Sequence, residues 1–180
     1  MPLSPPAARA PSHLRRIECR GYRRADGLWD IEGHLTDTKP VETAHPWSGR
    51  LAADEPVHDM WVRLTIDAAM TVRDVEAAVD RSPYPPCPGA APSLAALKGH
   101  RIAPGWGILI KRLLGGVAGC THLTELLLPL ATTAYQTLGS ERRTAPLPPG
   151  ARPAKIGSCY AYSDQREVVA RFWPEFYEGP

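Results

Sequence analysis

Residues 14–39 read LRRIECRGYRRADGLWDIEGHLTDTK, and the way they pair decides the architecture. Two runs of strand-forming composition flank Ala25-Asp26-Gly27. Asp-Gly is a strong turn signal, because glycine takes the left-handed conformation without a steric cost. A three-residue loop sets Arg23 opposite Trp29, Gly21 opposite Ile31, Cys19 opposite Gly33 and Ile17 opposite Leu35. On the other face it sets Arg20 opposite Glu32 and Glu18 opposite His34. One face is then apolar and the other carries charged and polar pairs. A two-residue loop would place Ile31 against Tyr22 and Leu35 against Glu18, which mixes the faces. The three-residue loop is therefore expected, with Cys19 in the core and His34 as a solvated cross-strand partner. Asp26, Asp30, Glu32 and Asp37 spread over two faces and a turn, and read as turn and surface residues.

Two further strands extend this hairpin. In residues 56–67, PVHDMWVRLTID, the side chains of Met60, Val62, Leu64 and Ile66 share a face, which His58 joins, while Asp59 and Trp61 fall on the other. Residues 71–80, TVRDVEAAVD, read as a fourth strand with Val75, Ala77 and Val79 inward, although VEAAV also fits a helix. Residues 40–55 have no periodicity and are expected to form a loop in which Trp47 caps the core. Residues 81–92, RSPYPPCPGAAP, read as a loop that proline bars from helix or central strand. Cys87 lies within it. A short helix over 93–98 follows, with Ser93 as N-cap and Gly99 as stop. Pro104 then opens a second helix, GWGILIKRLL, closed by Gly115-Gly116.

The stretch Gly115–Gln136, GGVAGCTHLTELLLPLATTAYQ, carries the longest helix. Leu123, Leu126, Leu127, Leu130, Ala131, Ala134 and Leu138 recur at helical spacing and form one broad apolar stripe. Pro129 removes one backbone donor in mid-helix and is expected to kink it. Cys120 and His122 sit at the helix mouth, where unpaired N–H groups and the helix dipole favour a thiolate. Against this stands the plainer reading of Cys120 as a small buried hydrophobe beside a Leu-rich helix.

Length and composition bound the rest. The chain has 180 residues, a formal net charge of +2 and near-balanced acidic and basic groups, so no nucleic-acid or membrane-surface footprint appears. No apolar run reaches the length of a membrane span, and MPLSPPAARAPSHLRR lacks the apolar core of a secretory signal, which points to a cytoplasmic protein. Gly115-Gly116 with Gly119 lacks the lysine and the preceding strand of a phosphate loop. Cys19, Cys87, Cys120 and Cys159 are widely spaced with no CxxC, a pattern of free, metal-bound or catalytic cysteines. Prolines mark a disordered tail over 1–12 and a linker over 139–153. Between them lies a single α+β domain, 13–138. Residues 154–180 are expected to dock on it through Trp173 and Phe176, with Cys159 packed. The fold class is thus α+β: an antiparallel sheet of three to four strands, hairpin first, packed by C-terminal helices.

Ligand-type residues stand at the ends of these elements: His58 and Asp59 at a strand entrance, Cys87 in a proline loop, Cys120 and His122 at a helix mouth. Thiolates with imidazoles or a carboxylate suit tetrahedral zinc, and iron takes the same set. The spacings, 29 residues from His58 to Cys87 and 33 on to Cys120, form no local motif, so the fold would have to assemble the site.

From Ile17 to Gln136, and again in the tail, the sequence resembles a bacterial family of uncharacterised domains. The phrases that carry the likeness are CRGYRRADGLWDIEGHLTDTK, HDMWVRLTID, PYPPC and GCTHLTEL. The order of three strands, a Cys loop, helices and a Cys opening a long helix is also similar to NifU-like iron–sulfur cluster scaffold proteins. That resemblance implies a three-cysteine site falling on His58 (in place of the first Cys), Cys87 and Cys120, with a scaffold Asp near Asp59. The scaffold's His before the last Cys is Gly119 here, with His122 as its replacement. Because one cysteine of three is exchanged, the resemblance implies a metal pocket rather than cluster assembly.

Several functions remain open on this reading. One is a metal-binding protein, accessory or metal- and sulfur-handling, working with a partner protein or enzyme subunit, either alone or as an oligomer. A second is a metalloenzyme with an open metal position for a small substrate, an aromatic one included, in which Glu125 or Asp59 is the acid–base group. A third is a metal-free thiol enzyme with Cys120 as nucleophile and His122 or His58 as base. The plainest is an accessory subunit whose cysteines only pack.

Overall fold

The alternation that pairs residues 14–39 is realised in full in the computed structural model, which describes residues 3–139, 148 and 150–179. β1 (Leu14–Arg23) and β2 (Trp29–Thr38) run antiparallel, with Arg23 opposite Trp29, Cys19 opposite Gly33 and Ile17 opposite Leu35. Gly27 takes a positive φ of 83° in the connecting turn, as the Asp-Gly signal requires. Residues 3–12 form no strand or helix and are exposed.

Four strands make the main sheet. β5 (Pro56–Ile66) pairs antiparallel with β2, and β6 (Val72–Arg81) with β5, in the order β1-β2-β5-β6. Residues 40–55 are not the plain loop expected. They hold a small hairpin of β3 (Thr43–His45) and β4 (Gly49–Leu51), which lies outside the main sheet and is too short to show period-two patterning. Trp47 sits in the turn of this hairpin and is 69% exposed, so it does not cap the core. The proline-rich stretch also departs from expectation. Cys87–Leu97 forms a continuous 3₁₀ segment, a geometry that proline tolerates better than a regular α-helix. Ser93 lies inside it and donates to the Ala90 carbonyl (2.7 Å) rather than capping a new helix.

α1 (Trp106–Leu114) and α2 (Thr121–Thr137) complete the core. The α2 stripe Leu123, Leu126, Leu127, Leu130, Ala131 and Ala134 is buried, and the helix continues through Pro129. Each fully buried leucine contributes about 2 kcal/mol of transfer free energy. The indole N–H of Trp106 donates to the Leu127 carbonyl (3.1 Å) and ties the two helices.

Two glycines bring α2 close to the sheet. A Cβ at Gly33 would lie 3.1 Å from Leu130 Cδ2, and one at Gly21 would meet Thr137 Oγ1 at 1.9 Å. The helix therefore lies over β1 and β2, with its N-terminal turn at the end of the sheet where β5 begins.

The chain divides into two compact units, Met1–Gly139 and Ser140–Pro180. In the second, α3 (Glu167–Phe172) is a short helix with Val169 buried. Arg152 donates to Asp164 (2.9 Å), and the Glu178 amide donates to the Asp164 carbonyl (3.0 Å). Cys159 is exposed rather than packed, since it precedes a 3₁₀ turn at the surface. Most of the Pro-rich linker expected over 139–153 lies outside the described residues. Among the described residues, no helix is long and apolar enough to cross a membrane.

Candidate functional site

The apolar face of the sheet ends in a polar row. Residues that alternate with Leu35 and Met60 must point the same way, so Asp37, two beyond Leu35, and His58, two before Met60, both face the helices. They are direct cross-strand partners, and Arg15 on β1 is opposite Asp37 on its other side. Arg15, Asp37 and His58 thus form one row across three strands. Asp37 is only 1% exposed, which corrects its reading as a surface residue.

Every lone-pair position of the Asp37 carboxylate is used. Arg15 donates from Nε to Oδ1 and from Nη2 to Oδ2, both at 2.8 Å. His13 Nε2 lies 2.9 Å from Oδ1, and His58 Nδ1 lies 3.0 Å from Oδ2. An ionised carboxylate can only accept. Both imidazoles therefore donate, and the neutral His58 ring carries its proton on Nδ1 and its lone pair on Nε2. Burial pushes the Asp37 carboxyl up, but the Arg15 and His13 hydrogen bonds and the Arg15 charge outweigh it and bring it down to about 2.

The helix mouth supplies the rest. The His122 ring stacks on His58, with centroids 3.6 Å apart. Glu125, one turn on, contacts Arg15. Burial lowers the pKa of both imidazoles, reinforced by the His122 charge for His58 and by the Arg15 charge for His122. At neutral pH both are neutral and hold lone pairs. One donor atom each from Asp37, His58 and His122 lies within 4.8 Å of the others. Cys120 is the N-cap of α2 and makes no side-chain cap bond; its Sγ lies 4.0 Å from His122 Nδ1.

The other sequence candidates go elsewhere. Asp59 lies on the opposite face of the sheet, with Oδ1 2.7 Å from His34 Nε2. Cys87 opens the 3₁₀ segment, half-buried; neither it nor Cys120 is part of the three-residue group, though Cys120 stands beside His122. Glu125 reaches the row through Arg15 rather than through a histidine. All four cysteines are free thiols. Sequence reasoning passed over Asp37, His13 and Arg15. The signal for Asp37 was present: the hairpin register that turns Leu35 inward turns Asp37 inward too.

No curated protein and no solved structure matches the chain. Residues 13–136 match one family, a span that runs from His13 through the whole of the site and nearly to the end of α2. On that match, which covers more than half of its length, the chain belongs to the family described as "Protein of unknown function (DUF2889)".

Proposed function

We propose that this domain binds one divalent transition metal ion, zinc or ferrous iron, at the mouth of α2. The ligands are the imidazoles of His58 and His122 and the thiolate of Cys120. The observation that carries the reading is the convergence of Asp37, His58 and His122, from two strands and a helix, to within 4.8 Å. Two neutral imidazoles beside a thiol make a donor set suited to either ion. Donors around a tetrahedral zinc stand about 3.5 Å apart, so binding requires the two rings to turn out of their stack and the Cys120 thiol, outside the 4.8 Å group, to swing in.

Asp37 is assigned as the orienting group, not a ligand, because its four acceptor positions are already taken by Arg15, His13 and His58. A carboxylate that accepts the Nδ1 proton of a metal-binding histidine fixes the tautomer and raises the basicity of Nε2. Three protein donors leave a fourth position for water or substrate, the pattern of an open rather than a closed site. This permits a metal-dependent reaction as well as an accessory or metal-handling role, and it gives Cys87 and Asp59 no part. A metal-free thiol reading is favoured by one contact, the approach of Cys120 Sγ to His122 Nδ1 at 4.0 Å.

Elemental analysis of untagged protein purified without chelators separates these readings. About one zinc or iron per chain is expected, lost in His58→Ala, His122→Ala and Cys120→Ser and retained in Cys87→Ser. No stoichiometric metal, together with stability unchanged by chelators, would sink the proposal and leave the thiol.

A further inference from the structure

The β3–β4 hairpin and the turn after β6 line an open pocket of about 310 Å³ that has no part in the site above. The volume is at the lower end of the range for small-molecule sites. Its lining combines large aromatic surface with hydrogen-bond donors: Trp47, Tyr84, His45, Arg50 and Arg81, against the single carboxylate Glu55. We propose that it binds a small organic anion with a planar aromatic body, an aryl carboxylate.

Trp47 and Tyr84 are 69% and 46% exposed, so neither is explained by core packing. The hairpin that holds Trp47 is ordered by a histidine. His45 Nδ1 accepts from the Trp47 amide (3.3 Å) and the Ser48 amide (3.0 Å), and lies 2.9 Å from Ser48 Oγ. With Nδ1 as acceptor, the proton of the neutral ring is on Nε2, and His45 offers a donor there. Arg81 meets Glu55 only at 3.7 Å, beyond a normal hydrogen bond, while the other Glu55 oxygen accepts from the Ala52 amide at 3.1 Å. Arg50 makes its ion pair with Glu42, outside the lining. Arg50 is thus engaged at the rim, and Arg81, held only loosely by Glu55, is the guanidinium that a ligand carboxylate can take. Guanidinium pairs with carboxylate in a bidentate fork, and indole and phenol faces offer a stacking surface for a flat ring. A flat body carrying one carboxylate answers both features, whereas a bare inorganic anion would use only the charge.

The inference is independent of the metal reading, and its test keeps the two apart. Benzoate is titrated into the full chain after EDTA treatment, so that a carboxylate on a metal ion is not mistaken for binding here, and backbone amide shifts are followed. Saturable shifts centred on Trp47, Arg81 and Tyr84 are expected, with a Kd on the order of 1 mM or tighter. Arg81→Gln and Trp47→Ala should each weaken binding about tenfold, and both positions are exposed enough for the variants to fold. Benzamide, the neutral analogue, should bind about tenfold more weakly. No saturation by about 10 mM, equal binding of benzamide, equal competition by inorganic phosphate, or affinity unchanged in both variants would each overturn the proposal.

Discussion

β2 and β5 build two histidine–aspartate pairs from the same two strands, one on each face of the sheet. On the helix side His58 meets Asp37; on the open side His34 meets Asp59 at 2.7 Å. Each histidine also stacks on a ring, His58 on His122 and His34 on Trp61. The chemistry of the two pairs is nearly the same, yet their surroundings differ. The Asp37 side chain is 1% exposed and is clamped by Arg15, whereas Asp59 is 25% exposed, with His34 as its partner. The helix mouth makes the difference, since it covers one pair, lowers the pKa of its imidazole by burial and adds a second imidazole. A histidine–aspartate contact is therefore not a site in itself; it becomes a candidate when a third element encloses it.

The largest expected break in this comparison is in stability. Asp37→Ala strips the acceptor from one guanidinium and two imidazoles in a buried setting, and should cost about 3 kcal/mol. Asp59→Ala removes a partly solvated pair and should cost no more than about 1 kcal/mol. Urea denaturation of the two variants reads the difference directly. Equal losses would mean that enclosure by α2 does not distinguish the faces.

Acid should break the enclosed pair next. The Asp37 pKa falls from 3.8 to about 2 on folding. A depressed carboxylate adds stability that is present above the unfolded value and lost as pH falls through the folded one. The shift is thus worth about 2 kcal/mol above pH 4, lost progressively toward pH 2. In metal-free protein the acid limb of wild type should be steeper than that of Asp37→Asn. Superimposable acid limbs for wild type and Asp37→Asn would show that Arg15 does not hold the carboxylate in solution.

Metal affinity sharpens the comparison on the scale of the proposed site. An orienting carboxylate of this kind contributes about 10- to 100-fold in affinity. Asp37→Asn should weaken zinc binding by that factor, as read by competition with a chromophoric chelator. If Asp37→Asn bound zinc as wild type does, Asp37 would have no orienting role.

Much of this was legible in the sequence, and the limits have physical causes. The β1–β2 register followed from two alternating runs and an Asp-Gly turn, because a one-residue slip would expose the core face. The α2 stripe followed from helical periodicity. His58 and His122 stood out as imidazoles at element ends, but their stacking depends on where α2 crosses the sheet, which Gly21 and Gly33 set through close approach and no local pattern reveals. Asp37 was hidden by its type: an aspartate near a strand end reads as surface unless the alternation is carried to its last residue. Asp59 drew attention as the neighbour of His58, yet adjacent residues on a strand face opposite ways. The 3₁₀ segment around Cys87 was obscured by prolines, which exclude a regular helix but not three-residue turns.

The smallest expected effect is the most specific. His34→Ala removes the open-face imidazole from both Asp59 and Trp61. Its ring lies on the side of the sheet away from α2, so its loss touches neither the Asp37 row nor the helix mouth. Stability should fall by no more than about 1 kcal/mol, the scale of a partly solvated pair with a stacked neighbour. Metal content should stay at the wild-type level. The paired variant His58→Ala should lose the metal although it deletes the same side chain from a partner strand of the same sheet. If His34→Ala also lost the metal, the ion would be held on the open face by His34 and Asp59, and the enclosure by α2 would be a matter of packing alone.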